Sequence, residues 1–512
     1  MHNTALIRNL IVYAIVLPLA IVLGYQLTEP LGQGTFFVVG MLVLALAFPI
    51  LLRWHHFMLV ASWNVIAVMF FLPGAPHVWL PMAGLSLGIT VLQRSVNRDM
   101  RLINEPRVTW SLILLAVTAL VTAQLTGGIG LRSFGSEVYG GRRYVYLLGG
   151  ILAYFALSMQ KIPKEKAGLY IAAYCLGGVT GVFGDFFMMV SPAFEFLFWV
   201  FPPNMYTYME GHVEFGTSRL AGMKAISMAG FLFMVSRYGV AGILSFQRPW
   251  RLVVLIGIIA VGMLGGFRSM LMIYALILGV QFYLEGLHRT KYVVAAGAFI
   301  LISLLLVVAF SGRLPVMFQR TLSFLPIEVD PAVRLEAQGS VDWRLEIWRY
   351  MIPQIPDYFW LGKGYAITRS DFGFMFTQAG GGTNVENWDA TVAGDYHNGP
   401  LSVLIDFGIW GAVAFVWFLI ASFRALLANY RYGPEELKRF NTFLFAMFIA
   451  RTIYFFTIFG GLHSDILHFA GYIGLSLALN GGVCRPAMAT APALSKVPEM
   501  VPIRTRPRLV HP

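Results

Sequence analysis

The residues best suited to chemistry in this chain are His397 and Asn398, followed by nine residues, Gly408, two residues and Gly411. They stand where a polar segment, residues 311–396, gives way to an apolar run. An imidazole, whose ordinary pKa is about 6.5, can accept a proton near neutral pH. At the mouth of a membrane helix it would lie beside free N–H groups, which favour a neutral ring and nearby phosphate. The alternative is a histidine that only caps the helix at the membrane interface.

Gly408 and Gly411 are interpreted as structural residues. Their separation of three would let a neighbouring helix pack closely, which leaves His397 as the chemical candidate. Asp395, two residues before the histidine, either orients the imidazole or is merely solvated, and the sequence leaves both interpretations open.

Three arginines are predicted to lie at the same membrane face as His397: Arg219, Arg268 and Arg344. Arginine at membrane depth is costly and usually has a bound anion or a paired carboxylate. Each could pair with a nearby acid: Asp185, Glu195, Asp342 or Glu346. Guanidinium groups match phosphate oxygens in a bidentate manner, so several of them beside one histidine favour a polyanion site.

The composition is that of a membrane protein. Of 512 residues, 58% are hydrophobic and 12% charged, about half the charged fraction of a soluble domain. Apolar runs near 20 residues recur, each long enough to cross a bilayer. The net charge of +12 is interpreted as positive-inside topology and not as nucleic-acid binding. We predict an all-α polytopic membrane protein with about fourteen (12–14) spans: 9–28, 33–52, 57–73, 77–92, 108–125, 143–160, 167–190, 219–237, 251–266, 268–286, 292–310, 398–421, 440–458 and 466–483.

The spans divide the chain into four predicted parts. They are an N-terminal transmembrane bundle (1–310), a large periplasmic loop (311–396), C-terminal transmembrane helices (397–484) and a disordered cytoplasmic tail (485–512). A Gly-rich outer loop, residues 126–142, adds Arg142 and the adjacent Arg143 as weaker site candidates.

Residues 340–354 of the large loop are predicted to form a short amphipathic helix that ends before Pro353 and lies at the membrane interface. Its apolar face follows an i, i+4, i+7, i+8 pattern: Trp343, Ile347, Tyr350 and Met351.

These motifs resemble those of the O-antigen ligase and O-antigen polymerase superfamily. The signature His-[Asn/Ser/Gln]-x9-Gly-x2-[Gly/Thr/Tyr] is similar to the residues from His397 to Gly411. Three further elements are similar to parts of the family pattern: Arg219-Leu-Ala-Gly222, Gly266-Phe267-Arg268-Ser269 and Trp343-Arg344 with the turn Leu361-Gly362-Lys363-Gly364-Tyr365. Phe267 stands where the family usually has serine. The resemblance covers about residues 219–425.

The resemblance implies a glycosyltransferase of the bacterial inner membrane whose active site faces the periplasm. The donor would be a polyprenyl-diphosphate-linked oligosaccharide. The acceptor hydroxyl would belong to a lipid A core sugar in a ligase, or to another lipid-linked glycan in a polymerase. Such enzymes need no cofactor or nucleotide sugar, and attack opposite the leaving group would invert the anomeric centre. His397 would act as the base or hold the diphosphate, and Arg219, Arg268 and Arg344 would bind the diphosphate. Asn398 and Asp395 are weaker site candidates beside the histidine.

Three other interpretations remain at this stage. One is a purely structural scaffold of a polysaccharide assembly complex, which no specific feature of the sequence supports. A lipid-linked oligosaccharide flippase would need basic groups in a cavity open to both sides, whereas the outlying cations are predicted on one face. A metal enzyme would need a ligand set, but the three candidates His463, Asp465 and His468 have no recognised zinc spacing. We therefore expect the reaction to be metal-independent.

Overall fold

The protein is represented by a computed structural model, which describes residues 20–21, 24, 33–99, 102–131, 138–190, 192–203, 220–367 and 394–486. Several sequence predictions fall outside the described residues. These are Arg219, the side chain of Glu195, most of the predicted span 9–28, and the tail from residue 487 onward.

The described residues are mostly helical, and they contain only isolated β-bridges, with no strand. The helices, in chain order, are α1 (Gln33–Ser62), α2 (Trp79–Val96), α3 (Pro106–Leu125), α4 (Gly141–Ser158), α5 (Ala167–Leu176), α6 (Gly181–Val190), α7 (Ala221–Ile243), α8 (Trp250–Met263), α9 (Arg268–Leu284), α10 (Tyr292–Phe310), α11 (Val316–Leu322), α12 (Pro331–Met351), α13 (Ile355–Tyr358), α14 (Gly399–Tyr432), α15 (Lys438–Thr457) and α16 (Leu462–Asn480). Short 3-10 helices connect several of them, including Gly177–Thr180 between α5 and α6.

Within the described residues, seven segments are long and apolar enough to cross a membrane. They are Ala45–Ser62, Pro106–Leu125, Lys164–Phe187, Ala221–Ile243, Tyr292–Arg313, Gly399–Tyr432 and Glu435–Thr457. The shorter helices α8 and α9 are also apolar. The protein is thus a multi-pass helical membrane protein, while a total of fourteen spans stays a prediction.

One boundary predicted from the sequence is wrong. The sequence predicts separate spans over 33–52 and 57–73, but α1 continues through the residues between them and ends at Ser62. His55 and His56 do not interrupt the helix because both are buried with polar partners: His55 Nδ1 lies 2.9 Å from Ser86 Oγ, and His56 Nε2 lies 2.9 Å from the Leu157 carbonyl oxygen.

Small residues allow the central helices to approach closely. A Cβ on Gly150 of α4 would lie 2.7 Å from Ile466 of α16, and one on Gly474 of α16 would lie 2.9 Å from Leu157. Helices α4 and α16 therefore pack in direct contact, as small residues permit in membrane bundles. They form the core against which α14 and α15 pack.

The connecting segments gather at two ends of the bundle. At one end, which we call the site end, Tyr139 pairs with Ile367, and Lys363 N–H donates to the Ile405 carbonyl. At the opposite end, the Lys164 ammonium pairs with Glu436 at 3.4 Å. The described residues of the polar segment that adjoin α14, 363–367 and 394–398, therefore lie at the site end.

Candidate functional site

His397 lies at the site end in a tight turn before α14. Its φ of +50° is in the left-handed region, which few non-glycine residues adopt. The ring is edge-on to two aromatic rings, Trp343 of α12 and Phe459 after α15, each with centroids 4.8 Å away. Two elements besides its own turn thus fix the imidazole in one position.

The turn is held on both sides of the histidine. Before it, the Trp348 indole N–H donates to the Tyr396 carbonyl at 2.9 Å. After it, the Asn398 side chain is the N-cap of α14 and accepts from Leu401 N–H at 3.1 Å. An N-cap of this kind satisfies a backbone donor that the helix leaves free. Asn398 therefore has a structural task that accounts for its position beside the histidine.

Gly408 interrupts α14. Its φ of +62° and ψ of −161° break the helix, and a Cβ there would lie 2.8 Å from the Phe359 carbonyl oxygen. The loop after α13 fills the break: Gly364 N–H donates to the Asp406 carbonyl at 2.9 Å, and Ile409 N–H donates to the Phe359 carbonyl at 2.7 Å. The interpretation of Gly408 as a helix-packing residue was wrong, because its close neighbour is this loop.

Gly411 has a different reason to lack a side chain. A Cβ at this position would collide with the Cβ of Phe407, which precedes the break in the same helix. Both signature glycines are therefore requirements of one local feature, the interruption of α14.

Helix α12 carries the amphipathic face predicted for residues 340–354. Ile347 and Met351 are buried against Tyr396 and the start of α14, whereas Tyr350 is exposed. The helix begins earlier than predicted because Asp330 caps it, accepting from Ala332 N–H at 2.8 Å. Its apolar face therefore packs against the turn that holds His397, and the prediction that this face lies in the headgroup layer has no support from these contacts.

Two of the three predicted phosphate-binding arginines are described, and both lie at the site end. Arg268 begins α9 and donates through both Nη atoms to the Ala337 carbonyl of α12, at 3.3 Å each. Arg344 lies next to Trp343 on α12 and close enough to His397 to affect its titration. Both are half-buried. Helix α12 thus connects the two guanidinium groups with the histidine.

The side chains of the adjacent residues Arg142 and Arg143 point in different directions. Arg142 is exposed and its Nη2 donates to the Tyr146 hydroxyl at 3.4 Å on its own helix. Arg143 turns inward, with its guanidinium 5.9 Å from the centre of the Tyr365 ring. A Cβ on Gly394 would lie 3.0 Å from Arg143 Nη1 and 3.4 Å from Asp406 Oδ1. The structure therefore brings Arg143, and not Arg142, beside the residues that precede His397.

The surroundings of His397 favour the neutral imidazole. Burial lowers its pKa, Asp395 acts against this and raises it, and the Arg344 guanidinium lowers it, with a net pKa below the ordinary value. Asp395 Oδ2 lies 3.8 Å from Nε2. Nδ1 is enclosed and has no hydrogen-bond partner among the described residues. A proton on Nε2, facing the carboxylate, would leave the Nδ1 lone pair free.

Two cations near this end were not predicted from the sequence. Lys224 of α7 places its Nζ 4.6 Å from the centre of the Phe267 ring, the residue that departs from the family pattern. Arg451 of α15 donates from Nε to Asp465 of α16 at 2.7 Å. Both cations lie inside apolar helices, and no recognised motif flanks them. The only indication in the sequence was therefore a charged residue within a membrane-spanning segment.

The potential metal ligands of α16 are engaged in other contacts. Asp465 is buried and paired with Arg451, and the His463 ring packs at 5.8 Å from that of Tyr365. Within the described ranges, no group of three or more His, Cys, Asp or Glu residues could hold a metal ion.

Residues 217–416 match the family model described as O-antigen ligase. This segment belongs to the O-antigen ligase superfamily. The match includes Arg219, Arg268, Arg344, His397 and both signature glycines, and it ends before α15 and α16. No curated protein matches the chain. The match of this segment supports a glycosyltransferase-like membrane enzyme of the O-antigen ligase type.

Proposed function

We propose that the protein transfers a glycan from a polyprenyl diphosphate carrier to an acceptor hydroxyl at the periplasmic face of the bacterial inner membrane. The observation that carries this proposal is the convergence of His397, Arg344 and Arg268 around α12, inside the segment that belongs to the O-antigen ligase superfamily. A base and two phosphate-matching cations at one end of a membrane bundle suit this chemistry.

His397 is the proposed general base. Because burial keeps its pKa below the ordinary value, the ring is neutral and ready to accept a proton at pH 7. Asp395, close to Nε2, stabilises the proton on that nitrogen and the charge that forms when Nδ1 is also protonated. The acceptor hydroxyl would bind to Nδ1 once the side chains that enclose this nitrogen move aside.

The arginines are the proposed anion site. In the reaction, the acceptor oxygen forms a bond to the anomeric carbon while the bond from that carbon to the diphosphate oxygen breaks. The departing lipid diphosphate keeps the electron pair, and His397 takes the hydroxyl proton. Arg268, Arg344 and Arg219 would stabilise the growing negative charge on the diphosphate. Because the acceptor enters opposite the leaving group, the anomeric configuration inverts.

The test uses purified protein in detergent or nanodiscs with lipid-linked oligosaccharide. Growing ladders from the donor alone would identify a polymerase, and transfer only after addition of lipid A core acceptor would identify a ligase. Absence of transfer under both conditions would contradict the proposal.

The matched variant for the base is His397→Asn. Asparagine tolerates a positive φ better than most residues, so the turn is retained while the proton acceptor is lost. We expect at least a hundredfold lower transfer rate, the scale of general-base catalysis, with unchanged membrane insertion. The control is His288→Ala, which removes a histidine at the opposite end. Near-normal transfer by His397→Asn would exclude His397 as the base.

A further inference from the structure

A second polar cluster lies behind the His397 turn and is separate from Arg268 and Arg344. It contains Asp406, Tyr365 and Arg143, from α14, the loop after α13, and α4. Asp406 is 1% exposed and Tyr365 is 3% exposed. These groups come from three elements that the fold brings to one place.

The cluster converges on the backbone of Gly394. A Cβ placed on this glycine would lie close to all of the following atoms: Arg143 Nη1 at 3.0 Å, Asp406 Oδ1 at 3.4 Å and the Tyr396 hydroxyl at 3.7 Å. Tyr396 donates to Asp406 Oδ1 at 3.3 Å, so one carboxylate oxygen has a partner. The other carboxylate oxygen, Oδ2, has no such partner among the described residues.

Three atoms of this cluster are enclosed and lack a hydrogen-bond partner among the residues that the structure describes: Asp406 Oδ2, Arg143 Nη1 and the Tyr365 hydroxyl. Buried polar groups are almost always hydrogen-bonded, because an unpaired one costs a folded protein free energy. Among the described residues, Arg143 and Asp406 do not form a direct ion pair, so they do not satisfy each other's hydrogen-bonding groups. A purely structural network would not leave one acceptor and one donor unused at the same place.

The chemistry of the three atoms selects the class of ligand. A guanidinium can only donate, a carboxylate can only accept, and a phenol can do either. A hydroxyl group both donates and accepts, and can therefore satisfy Arg143 and Asp406 together. A phosphate would be repelled by Asp406, which distinguishes this cluster from the proposed diphosphate site.

We propose that Asp406, Tyr365 and Arg143 form a second subsite, which binds hydroxyl groups of a sugar next to the reacting centre. This inference rests on the proposed function and assigns part of its glycan recognition. The hydroxyls could belong to the donor glycan or to the acceptor, and the cluster chemistry is the same for both.

Tyr365→Phe is the decisive variant because it removes only a hydroxyl that has no partner in the described structure. Deleting such a group should not lower the thermal unfolding midpoint. If the hydroxyl binds sugar, the KM for one glycan substrate should rise about fivefold or more, the value expected for one lost hydrogen bond. Tyr283→Phe, an exposed tyrosine at the opposite end, is the matched control and should leave both constants unchanged.

Asp406→Asn provides an independent test. The amide oxygen can still accept from Tyr396, while the free acceptor becomes a donor and can no longer bind a hydroxyl proton. We expect a larger rise in the same KM. Inhibition by unglycosylated polyprenyl diphosphate should be unchanged, because this probe has no sugar. Kinetics with varied donor and varied acceptor would show which glycan occupies the subsite.

Two results would overturn the subsite. One is unchanged KM for donor and acceptor in both variants, as expected if the cluster holds only a structural water molecule. The other is a loss of activity that parallels a lower unfolding midpoint in Tyr365→Phe. Either result leaves the proposed transfer reaction intact in the wild-type protein, whereas absence of wild-type transfer would contradict the function itself.

Discussion

Replacement of Gly408 by alanine tests whether the interruption of α14 is needed. The residue has a φ of +62° and a ψ of −161°, a backbone region that is essentially restricted to glycine and costs other residues about 1–3 kcal/mol. The new Cβ would also lie 2.8–2.9 Å from backbone atoms of Phe359 and Trp360, which cannot move away as a side chain could. Either the backbone is strained or the loop separates from the helix.

If the loop separates, three hydrogen bonds are lost: Lys363 N–H to Ile405, Gly364 N–H to Asp406 and Ile409 N–H to Phe359. At about 0.5–1.5 kcal/mol each, loss of the three bonds costs about 1.5–4.5 kcal/mol, compared with about 1–3 kcal/mol if the backbone is strained instead. We expect a clearly lower unfolding midpoint in detergent and a large loss of transfer, because the loop also carries the Tyr365 backbone.

The matched control is Gly279→Ala in α9, where a Cβ meets nothing within 4 Å. This change should be neutral or slightly stabilising, since alanine favours a helix more than glycine does. Thermal unfolding of both variants in the same micelles gives the comparison. If Gly408→Ala unfolds at the same temperature as Gly279→Ala, the break in α14 is not maintained by the glycine and the reasoning fails.

Two further predictions concern the His397 turn. Trp348→Phe keeps an aromatic ring but removes the N–H that holds the turn; it should reduce stability by about 0.5–1.5 kcal/mol and lower kcat, and an unchanged kcat would contradict a positioning role. Asp395 raises the pKa of His397, so Asp395→Asn should move the acid limb of the rate profile, which starts below pH 6.5 in the wild type, to still lower pH. A shift of that limb to higher pH would have the wrong sign.

Much of the helical framework could be predicted from hydropathy, because crossing a bilayer requires about 20 apolar residues. The wrong division of α1 has a specific cause. The predicted spans 33–52 and 57–73 leave out His55 and His56, but both histidines find buried partners, on α2 and at the end of α4. Hydrogen-bond partners on other helices cannot be recognised from the residues next to the histidines in sequence.

The placement of some candidate site residues at one end of the bundle could be predicted from the sequence, and that of others could not. His397, Arg268 and Arg344 were identified by motif and charge, and they lie at the same end of the bundle. Asp406 was missed because one acid in an apolar run looks the same whether it is buried or lines a cavity. Its relation to Arg143, more than 260 residues away in sequence, depends on the packing of α4 against the loop after α13.

The spacing of the signature has a physical explanation in this fold. The nine residues between Asn398 and Gly408 form a separate helical segment, about 14 Å long at 1.5 Å per residue. Its first turn is capped by Asn398, and its last carbonyls accept N–H groups of the loop that fills the break. Insertion of a residue would rotate the Asp406 side chain by about 100° relative to Tyr396, and would part it from its hydrogen-bond donor. The fixed number of residues therefore sets the distance and the rotation between the His397 turn and the loop that carries Tyr365.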